Sequence, residues 1–414
     1  MCLGAFNFPC LAQTDVMTEK EILKGAKAMQ KELIDVRREL HCRAELGFDL
    51  PKTTAFVQEK LQEYGYRSKP CGKSGLVAEI GEGSAALLLR ADMDGLPMTE
   101  ETRLSFACKN GCMHACGHDL HTASLLGAAK LLRENEKSLK GKIKLLFQPA
   151  EELLQGAKAT IEAGVLQSPT VKGAVMLHVL TATPFPTGTA IVAAGTSAPA
   201  ADFFKITVRG KSCHGAAAQN GVDALSAAAH ILVALQEISA RELSPSAPAP
   251  LTIGKCVGGN AANVIAGKVE LSGTLRAFDE STRAYVKKRM EEICKTVAKA
   301  FRAKASVRYD GGCPTLVNDE KLSAFVLSSL RKTLGKERAL SMAELGGTVT
   351  QSNGGSEDFA YISHAVPSVM IGLAAGNTAD GYTYPLHHSK TKFDEDALCI
   401  GATIYASMAF AWQS

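Results

Sequence analysis

The chain has 414 residues, a length that suits two domains better than one. Its 46 Lys and Arg against 42 Asp and Glu leave a net charge of +4, and the basic residues are dispersed. This pattern argues against a nucleic-acid or membrane-surface partner. No run of about 18 apolar residues predicts a membrane-spanning helix. Twelve cysteines over such a length indicate mostly free, buried thiols and a cytoplasmic protein.

Strands alternating with helices dominate the first half of the chain. Residues 18–46 carry an apolar stripe at helical spacing, and Thr18 with Glu21 forms a capping-box pattern, so a helix is predicted there. The segments that follow are strands LVAEI and ALLLRADMD, helix HTASLLGAAKLLREN, and strands KIKLLFQ and GAVMLHV. Their order predicts an α/β domain with a largely parallel sheet. The apolar N-terminal stretch before residue 18 is interpreted as a loose arm, with an unusual export signal as the alternative.

The pattern changes near residue 200. Strand FFKITVRG, an Ala-rich helix over 222–240, strands APLTIGKCVGG and KVELSGTLRAF, helix STRAYVKKRMEEICKTVAKAFRA and strand ASVRYDG follow. The order β-α-β-β-α-β predicts a split βαβ sandwich. After about residue 313 the α/β pattern returns and ends in a C-terminal helix. The sequence therefore predicts a first domain formed by 1–199 and 313–414, into which a second domain, 200–312, is inserted.

A cluster of potential metal ligands lies at 113–123, in the stretch MHACGHDLHTA, between a Gly-containing loop and a predicted helix. Cys116 and His118 flank Gly117, whose conformational freedom allows both side chains to face one point. A thiolate and an imidazole together suit zinc or a similar transition ion. Further residues of these types follow other apolar strands: Glu151, Glu152, His178, His387 and His388. The combined set predicts a metal site.

The adjacent pair Glu151 and Glu152 permits two roles. Neighbouring side chains usually diverge, so one can bind metal while the other acts as a general base. A solvated helix start favoured by the helix dipole is the alternative, and spacing alone does not decide between them. Two other chemistries are less well matched: an iron–sulfur cluster on Cys108, Cys112 and Cys116 leaves the Glu and His pairs idle, and Cys116 as a thiol nucleophile does not need so many neighbouring ligands.

At these residues the sequence resembles the metal-dependent N-acyl-amino-acid amidohydrolases and carboxypeptidases, which include hippurate hydrolases and the auxin–amino-acid conjugate hydrolases of plants. The resemblance covers roughly residues 25 to 412. The motifs that carry it are HCRAELGF (41–48), RADMDGLP (90–97), MHACGHDLHTA (113–123), FQPAEE (147–152), GKSCHGA (210–216), GGNAANVIAGKVELSGTLRAF (258–278), GGSEDFA (354–360) and HHSKTKFDEDA (387–397). Several of them are long and ordered, which makes chance similarity improbable.

The resemblance implies a catalytic three-layer α/β/α domain with an inserted ferredoxin-like lid domain. It also implies two divalent ions per subunit, with manganese, zinc, nickel and cobalt all compatible. The matching ligand positions are Cys116, His118, Glu152, His178 and His387. His387 is preferred to His388 because it precedes Glu395 by the family's eight-residue spacing. Glu151 matches the general acid/base, and Asp92 with Asp94 would form a supporting shell.

In the lid, the resemblance matches His214, Asn263 and Arg276 to positions that approach the substrate. A turn histidine and a strand-edge charge are the plain alternatives for His214 and Arg276. The implied activity is hydrolysis of N-acyl amino acids by a homodimer that pairs through its lid. Ala217 and Ala218 lie in a region expected to touch substrate and leave the acyl preference open. The alternatives are a dipeptidase or aminopeptidase-like metallohydrolase and a non-catalytic metal-binding protein.

Overall fold

The computed structural model describes residues 17–346 and 355–413. Within them the α-helices are α1 (Glu19–Ala28), α2 (Gln30–His41), α3 (Pro51–Glu63), α4 (His118–Glu134), α5 (Gly156–Glu162), α6 (Ala224–Glu237), α7 (Glu280–Ala300), α8 (Glu320–Leu334), α9 (Ala360–Ser363) and α10 (Ala397–Ala411). None of these helices is both long enough and apolar enough to span a bilayer. The predicted N-terminal arm lies outside the described residues.

The strands are β1 (Lys69–Pro70), β2 (Leu76–Ile80), β3 (Ala85–Asp92), β4 (Lys142–Gln148), β5 (Thr170–Leu180), β6 (Ala190–Val192), β7 (Gly195–Ala198), β8 (Ala200–Arg209), β9 (Cys213–His214), β10 (Leu251–Gly258), β11 (Val264–Ile265), β12 (Lys268–Ala277), β13 (Lys304–Cys313), β14 (Leu316–Asn318), β15 (Ala339–Ser341) and β16 (Ser368–Ala374). Eight of them form one large sheet in the order β1-β2-β4-β3-β5-β16-β6-β15. The mixed α/β fold with a large sheet confirms the predicted class.

The large sheet is parallel at its centre and at the β6–β15 edge, and its other pairs are antiparallel. Strand β3 pairs in parallel with β4 and β5, and β5 pairs in parallel with β16. Strands β2 and β6 run the opposite way, against β4 and β16. The link from β5 to β6, residues 181–189, is too short for a crossover, since parallel neighbours need about a dozen residues or more between them. The prediction of a largely parallel sheet therefore holds for the four central strands and the β6–β15 pair, but not for the β1–β2, β2–β4 and β16–β6 pairs.

Helices cover the large sheet unequally. One face carries α1, α2, α4, α8 and α10 over a continuous apolar core, whereas the short helices α5 and α9 lie on the other face. The Thr18 capping box is present as predicted. The single helix expected over 18–46 is instead two helices that meet at Met29, whose backbone leaves the helical conformation there. The break keeps Met29 buried together with the apolar stripes of both helices.

A second, four-stranded antiparallel sheet has the order β10-β12-β8-β13. Its elements follow one another as β8, α6, β10, β12, α7 and β13, which is the predicted β-α-β-β-α-β order. Side chains such as Phe204, Ile231 and Met290 form a core separate from that of the large sheet. Strands β8 and β13 connect this second sheet to the part of the chain that forms the large sheet. The two strands are neighbours, since Cys313 at the end of β13 pairs with Ala201 at the start of β8.

Candidate metal centre and active site

The candidate ligands come from one edge of the large sheet. Strands β3, β4, β5 and β16 are parallel, so their carboxyl ends meet at the same edge. Asp92 ends β3, the Glu151–Glu152 turn follows β4, and His178 lies near the end of β5. His387 is on the loop that follows β16. Helix α4 begins at this edge and adds Cys116 and His118 at its N-terminus.

Gly117 turns the chain between Cys116 and His118. Its backbone is left-handed, with φ of 87°. A Cβ atom at this position would lie 2.3 Å from Cγ2 of Val179 and 3.0 Å from Cζ of Phe393. Only glycine combines this conformation with so close an approach. The turn allows Cys116, which precedes α4, and His118, its first residue, to direct their side chains to the same place.

Five side chains converge on Cys116, the common point of two groups: one with His118 and His178, the other with Glu152 and His387. The Sγ atom of Cys116 lies 3.5 Å from Nε2 of His178 and 3.3 Å from Nε2 of His387. Oε1 of Glu152 lies 3.5 Å from Nε2 of His387 and 4.0 Å from Nε2 of His118. His388 is not part of this group, because its ring stacks on Tyr384 at a centroid distance of 4.6 Å. The structure thus brings together Cys116, His118, Glu152, His178 and His387.

Unpartnered polar atoms at this point fit a cation. Nε2 of His118 and Oε1 of Glu152 are buried and have no hydrogen-bond partner within the described part of the chain. The other ring nitrogens are engaged: Nδ1 of His118 lies 2.8 Å from the Asp94 carbonyl, and Nδ1 of His178 lies 2.8 Å from the Val179 carbonyl. Both Nε2 atoms are therefore directed at the common point. Nitrogen, oxygen and sulfur donors in this arrangement suit a divalent transition ion.

Burial shifts the pKa of two of these ligands, whereas for His118 the nearby Asp92 carboxylate outweighs burial and raises the pKa. Burial, reinforced by His121, lowers the pKa of His178 to about 3, so the ring is in its neutral, metal-binding form. Burial also raises the pKa of the Cys116 thiol, with nearby Glu152 adding to the effect. A buried thiol of this kind becomes a thiolate when a cation replaces its proton. The donors therefore match a bound metal better than an empty polar pocket.

Glu151 stands apart from its neighbour Glu152. A single side chain, Asp94, holds both backbones: Oδ1 accepts from the Glu151 N–H at 3.0 Å, and Oδ2 accepts from the Glu152 N–H at 3.2 Å. Oε1 of Glu151 accepts from the Asp358 N–H at 3.3 Å, whereas Oε2 lies 3.9 Å from Nε2 of His118. Burial, with Glu357 and Glu152 nearby, raises the pKa of the Glu151 carboxyl well above its usual value. A carboxyl tuned in this direction suits proton transfer near neutral pH.

Asp92 supports the ligand groups from beneath. Its Oδ1 accepts from Nδ1 of His121 at 2.6 Å, and Nε2 of His121 in turn accepts from the Val179 N–H at 2.8 Å. Although burial opposes it, the nearby charges of His118 and Arg90 hold the pKa of Asp92 well below its usual value. Asp92 is thus a buried anion hydrogen-bonded to His121, whose ring centroid lies 4.8 Å from that of His178.

Sequence reasoning gave no role to three buried charges near Glu151. Arg90 is fully buried and lies within 3.0 Å of carboxylate oxygens of Asp92, Glu357 and Asp358. All three missed residues, Arg90, Glu357 and Asp358, lie inside the quoted motifs RADMDGLP and GGSEDFA. The signal available in the sequence was a charged residue next to an apolar segment: Arg90 lies within β3, and Glu357 and Asp358 lie just before α9. Their pairing was not visible, because the two motifs are far apart in the chain.

The three predicted substrate residues lie in the second sheet region. His214 on β9 pairs with Val264, and the Asn263 carbonyl accepts from the Gly215 N–H at 2.7 Å, so these two exposed residues are neighbours. Arg276 on β12 is half-buried, and its Nη1 has no hydrogen-bond partner. Among residues 17–346 and 355–413, no hydrogen bond or ion pair joins any of the three to the five-residue cluster. The structure does not bring them into contact with the candidate ligands.

The thiols do not form an iron–sulfur arrangement in the described part of the chain. Of the three cysteines in the stretch, only Cys116 belongs to a group of candidate ligands. The Cys108 thiol donates instead to the Cys42 carbonyl at 3.3 Å and to Oδ1 of Asn110 at 3.1 Å. The ten described cysteines are all free, and six are buried, which agrees with the interpretation of buried thiols.

Known proteins are similar to this chain in sequence and in fold. Residues 88–411 match the model of the family described as peptidase family M20/M25/M40. N-acetyl-L-cysteine deacetylase of Bacillus subtilis is 40% identical over 390 residues, 93% of this chain and 89% of that protein. An IAA-amino acid hydrolase of Arabidopsis thaliana is 36% identical over 384 residues, 91% of this chain and 84% of that protein.

Solved structures agree with these relatives. A protein from methicillin-resistant Staphylococcus aureus, described as an aminohydrolase, is 32% identical with a TM-score of 0.88 over 96% of this chain and all of that one. A Bacillus subtilis protein described as a dinuclear metal-binding peptidase of the M20 family is 31% identical with a TM-score of 0.75 over 93% and 98% of the two chains.

An α/β sheet that gathers nitrogen, oxygen and sulfur ligands beside a free carboxylate defines a metal-dependent hydrolase. The comparisons make this class specific, because the family model covers most of the chain and the relatives exceed 30% identity over nearly all of it. The chain belongs to the peptidase family M20/M25/M40, and it is a metal-dependent amidohydrolase. The resemblance found in the sequence is thereby confirmed.

Proposed function

We propose that this protein hydrolyses the amide bond of N-acyl amino acids and releases the acyl group and a free amino acid. The observation that carries the proposal is the convergence of five ligand side chains beside a sixth group, Glu151, whose Oε2 lies 3.9 Å from Nε2 of His118 while its Oε1 accepts from the Asp358 N–H. Relatives named for N-acetyl-L-cysteine, IAA–amino acid conjugates and N-acyl-L-amino acids support this substrate class.

We further propose two divalent ions per subunit. Their ligands would be Cys116, His118, Glu152, His178 and His387, with Asp92 and Asp94 as supporting residues. The dinuclear relative supports the number of ions, and the mixed donor set is compatible with manganese, zinc, nickel or cobalt. When bound, such ions supply Lewis acidity and lower the pKa of a coordinated water.

Glu151 is the proposed general base. Its Oε1 is occupied by the Asp358 N–H, which leaves Oε2, on the side of His118, to take a proton from the attacking water. The same oxygen can then deliver that proton to the nitrogen of the leaving amine. Its raised pKa supports this role, because burial and the neighbouring carboxylates make the Glu151 carboxylate a better proton acceptor than an exposed glutamate.

Residues 200–312 are proposed to be a ferredoxin-like lid inserted between catalytic segments 1–199 and 313–414. Their separate core and two-strand connection support this division. Closure would bring His214 and Asn263 towards the site, from the same subunit or its partner, and complete it. Arg276 suits the substrate carboxylate, since its unpartnered Nη1 can donate a charge-assisted hydrogen bond.

We also propose a homodimer that pairs through this lid. A cytoplasmic location is proposed as well, and the free cysteines support it.

A substrate panel tests the proposal directly. Release of free amine from N-acyl amino acids, compared with dipeptides, is measured on protein loaded with each metal in turn and after chelation. Glu151→Gln should reduce kcat by about 10²–10⁴-fold while metal content stays unchanged, because the base is lost but the ligands remain. Glu59→Gln, at an exposed position of α3, is the matched control and should keep wild-type activity.

Two results would reject the proposed function. Activity confined to dipeptides would favour the peptidase alternative, and no turnover of either class by metal-loaded protein would favour a non-catalytic metal-binding protein. An active Glu151→Gln variant would instead show that the base assignment alone is wrong.

A further inference from the structure

A buried polar unit contacts Glu151 through the backbone N–H of Asp358. It consists of Arg90, Gln148 and Asp358, each fully buried. The Arg90 guanidinium donates through Nε to Oε1 of Gln148 at 3.0 Å and through Nη2 to Oδ1 of Asp358 at 2.8 Å. Nε2 of Gln148 donates to the same Asp358 oxygen at 2.8 Å. The ends of β3 and β4 therefore hold one carboxylate between them.

Asp358 is fixed on its other side as well. Its Oδ2 accepts from the Ala157 N–H, at the start of α5, at 2.8 Å. Both carboxylate oxygens are thus used, by donors that come from three separate elements. With the side chain held in this way, the Asp358 backbone N–H is directed at Oε1 of Glu151. From residues 17–346 and 355–413 no hydrogen bond reaches Oε2, which lies 3.9 Å from Nε2 of His118.

We infer that Arg90 and Asp358 are positioning residues that set the orientation of the Glu151 carboxylate. Asp94 fixes the Glu151 backbone, but the side chain can still rotate about its own bonds. The Asp358 N–H occupies one carboxylate oxygen and so keeps the other towards the attacking water. Neither residue touches substrate. The inference rests on the proposed function, because it concerns the group that acts there as the base.

Asp358→Asn tests the inference with little change of shape. An asparagine must turn its NH₂ towards either the Ala157 N–H or the donors of Arg90 and Gln148, so one set of contacts is lost. The loop would then shift, and kcat should fall about 10–100-fold, the loss expected for misplacement of a catalytic group by about 1 Å. KM should change less than about twofold and metal content should be unchanged, since no ligand or substrate contact is removed.

Two control variants distinguish a change in the orientation of Glu151 from a general loss of stability and from the loss of a nearby negative charge. Asp202→Asn removes a buried Asp that pairs with Arg283 and Lys287 in the second sheet region, and it should lower the melting temperature while keeping kcat. Glu357→Gln removes a negative charge near Glu151, yet its Oε1 can still accept from Arg90 and from the Phe359 N–H. Its effect on kcat should be clearly smaller than that of Asp358→Asn.

The outcomes distinguish the inference from the proposed function. Wild-type kcat in a folded Asp358→Asn variant, or equal losses in Asp358→Asn and Glu357→Gln, would overturn the positioning role. If Asp358→Asn does not fold, Gln148→Met removes one donor to Asp358 and should lower kcat about 3–10-fold; unchanged kcat would overturn the inference. A fully active Glu151→Gln would instead remove its premise.

Discussion

His41 is a buried histidine held between two carboxylates. Its Nδ1 lies 2.8 Å from Oδ2 of Asp119, and its Nε2 lies 3.0 Å from Oε2 of Glu100. Arg37 donates to the same Asp119 oxygen at 2.7 Å. Burial lowers the pKa of His41, but Asp119 and Glu100 outweigh it, so the pKa is raised above 6.5. The charged ring joins α2 to the first turn of α4, next to candidate ligand His118.

The raised pKa gives a prediction for stability against pH. The contribution of protonated His41 is complete below pH 6.5 and is lost as pH rises through the folded-state pKa. Replacing it by His41→Gln should destabilise the protein by about 1.5–3 kcal/mol at low pH, the value of hydrogen bonds to charged groups. Urea unfolding of both proteins at pH 6 and at pH 9 measures the difference, which should shrink at the higher pH. A difference that is constant or grows would contradict the charged state assigned to His41.

Buried charges also show where residue-level prediction succeeds and fails. That Cys116, His118 and Glu152 lie close together could be predicted, because cysteine, histidine and glutamate at strand ends are unusual together; their role as ligands stays a prediction. The partners of Arg37 and Arg90 could not be predicted, since an arginine inside an apolar segment has no local sign of its partner. Asp358 is 268 residues from Arg90, and only the fold makes them neighbours. Residue types that bind metal can be recognised within a short stretch of sequence, whereas the partner of a buried arginine cannot.

At the scale of elements, α4 connects the ligand cluster to the core. Its first residue is His118, and nearly all of its length is buried. Gly117 precedes it in a left-handed conformation against Val179 and Phe393. Helix position and ligand direction are therefore coupled through one residue: any shift of the helix start also changes the angle between Cys116 and His118.

Gly117→Ala is expected to disrupt this coupling. The left-handed backbone alone costs about 1–2 kcal/mol for alanine. The new Cβ would also lie 2.3 Å from Val179, which requires the helix start to move. We expect a lower melting temperature and loss of bound metal, measured by mass spectrometry of the eluted ions. The control is Gly111→Ala, with φ of 84° and no neighbour within 4 Å of its Cβ: it has the same strain without the clash and should keep its metal. Equal metal content in both variants would contradict the argument.

Element order was more predictable than element direction. Hydrophobic periodicity is local, so the β-α-β-β-α-β order of residues 200–313 could be predicted from the sequence. Whether β6 runs with or against β16 depends on the length of a connection and on pairing between distant segments. The break at Met29 was missed for a related reason, because both helices continue the same apolar stripe.

The described residues, 17–346 and 355–413, form two apolar cores on the faces of the large sheet and a third in the second sheet region, to which the connection is narrow. Besides strands β8 and β13, a few polar contacts cross it: Thr315 N–H donates to Oε1 of Glu280 at 2.8 Å, and the Tyr361 hydroxyl donates to the Gly312 carbonyl at 2.6 Å. A connection of two strands and isolated hydrogen bonds allows rotation of one part relative to the other. This geometry supports the proposed lid, and it makes an outer surface of the lid available to a partner.

The exposed side of the lid leads to a prediction for assembly. Val233 and Leu225 on α6 are 70% and 48% exposed, and Val257 on the edge strand β10, which α6 contacts, is 56% exposed. An unpaired edge strand beside an exposed apolar helix face favours pairing with a second copy. Val233→Glu should therefore convert the proposed homodimer to monomers in sedimentation velocity, because burying an unpaired carboxylate in an interface costs several kcal/mol. Val317→Glu, at an exposed apolar position outside the lid, should leave the assembly unchanged. A monomeric wild type at micromolar concentration, or a Val233→Glu variant that remains dimeric, would exclude this surface as the interface.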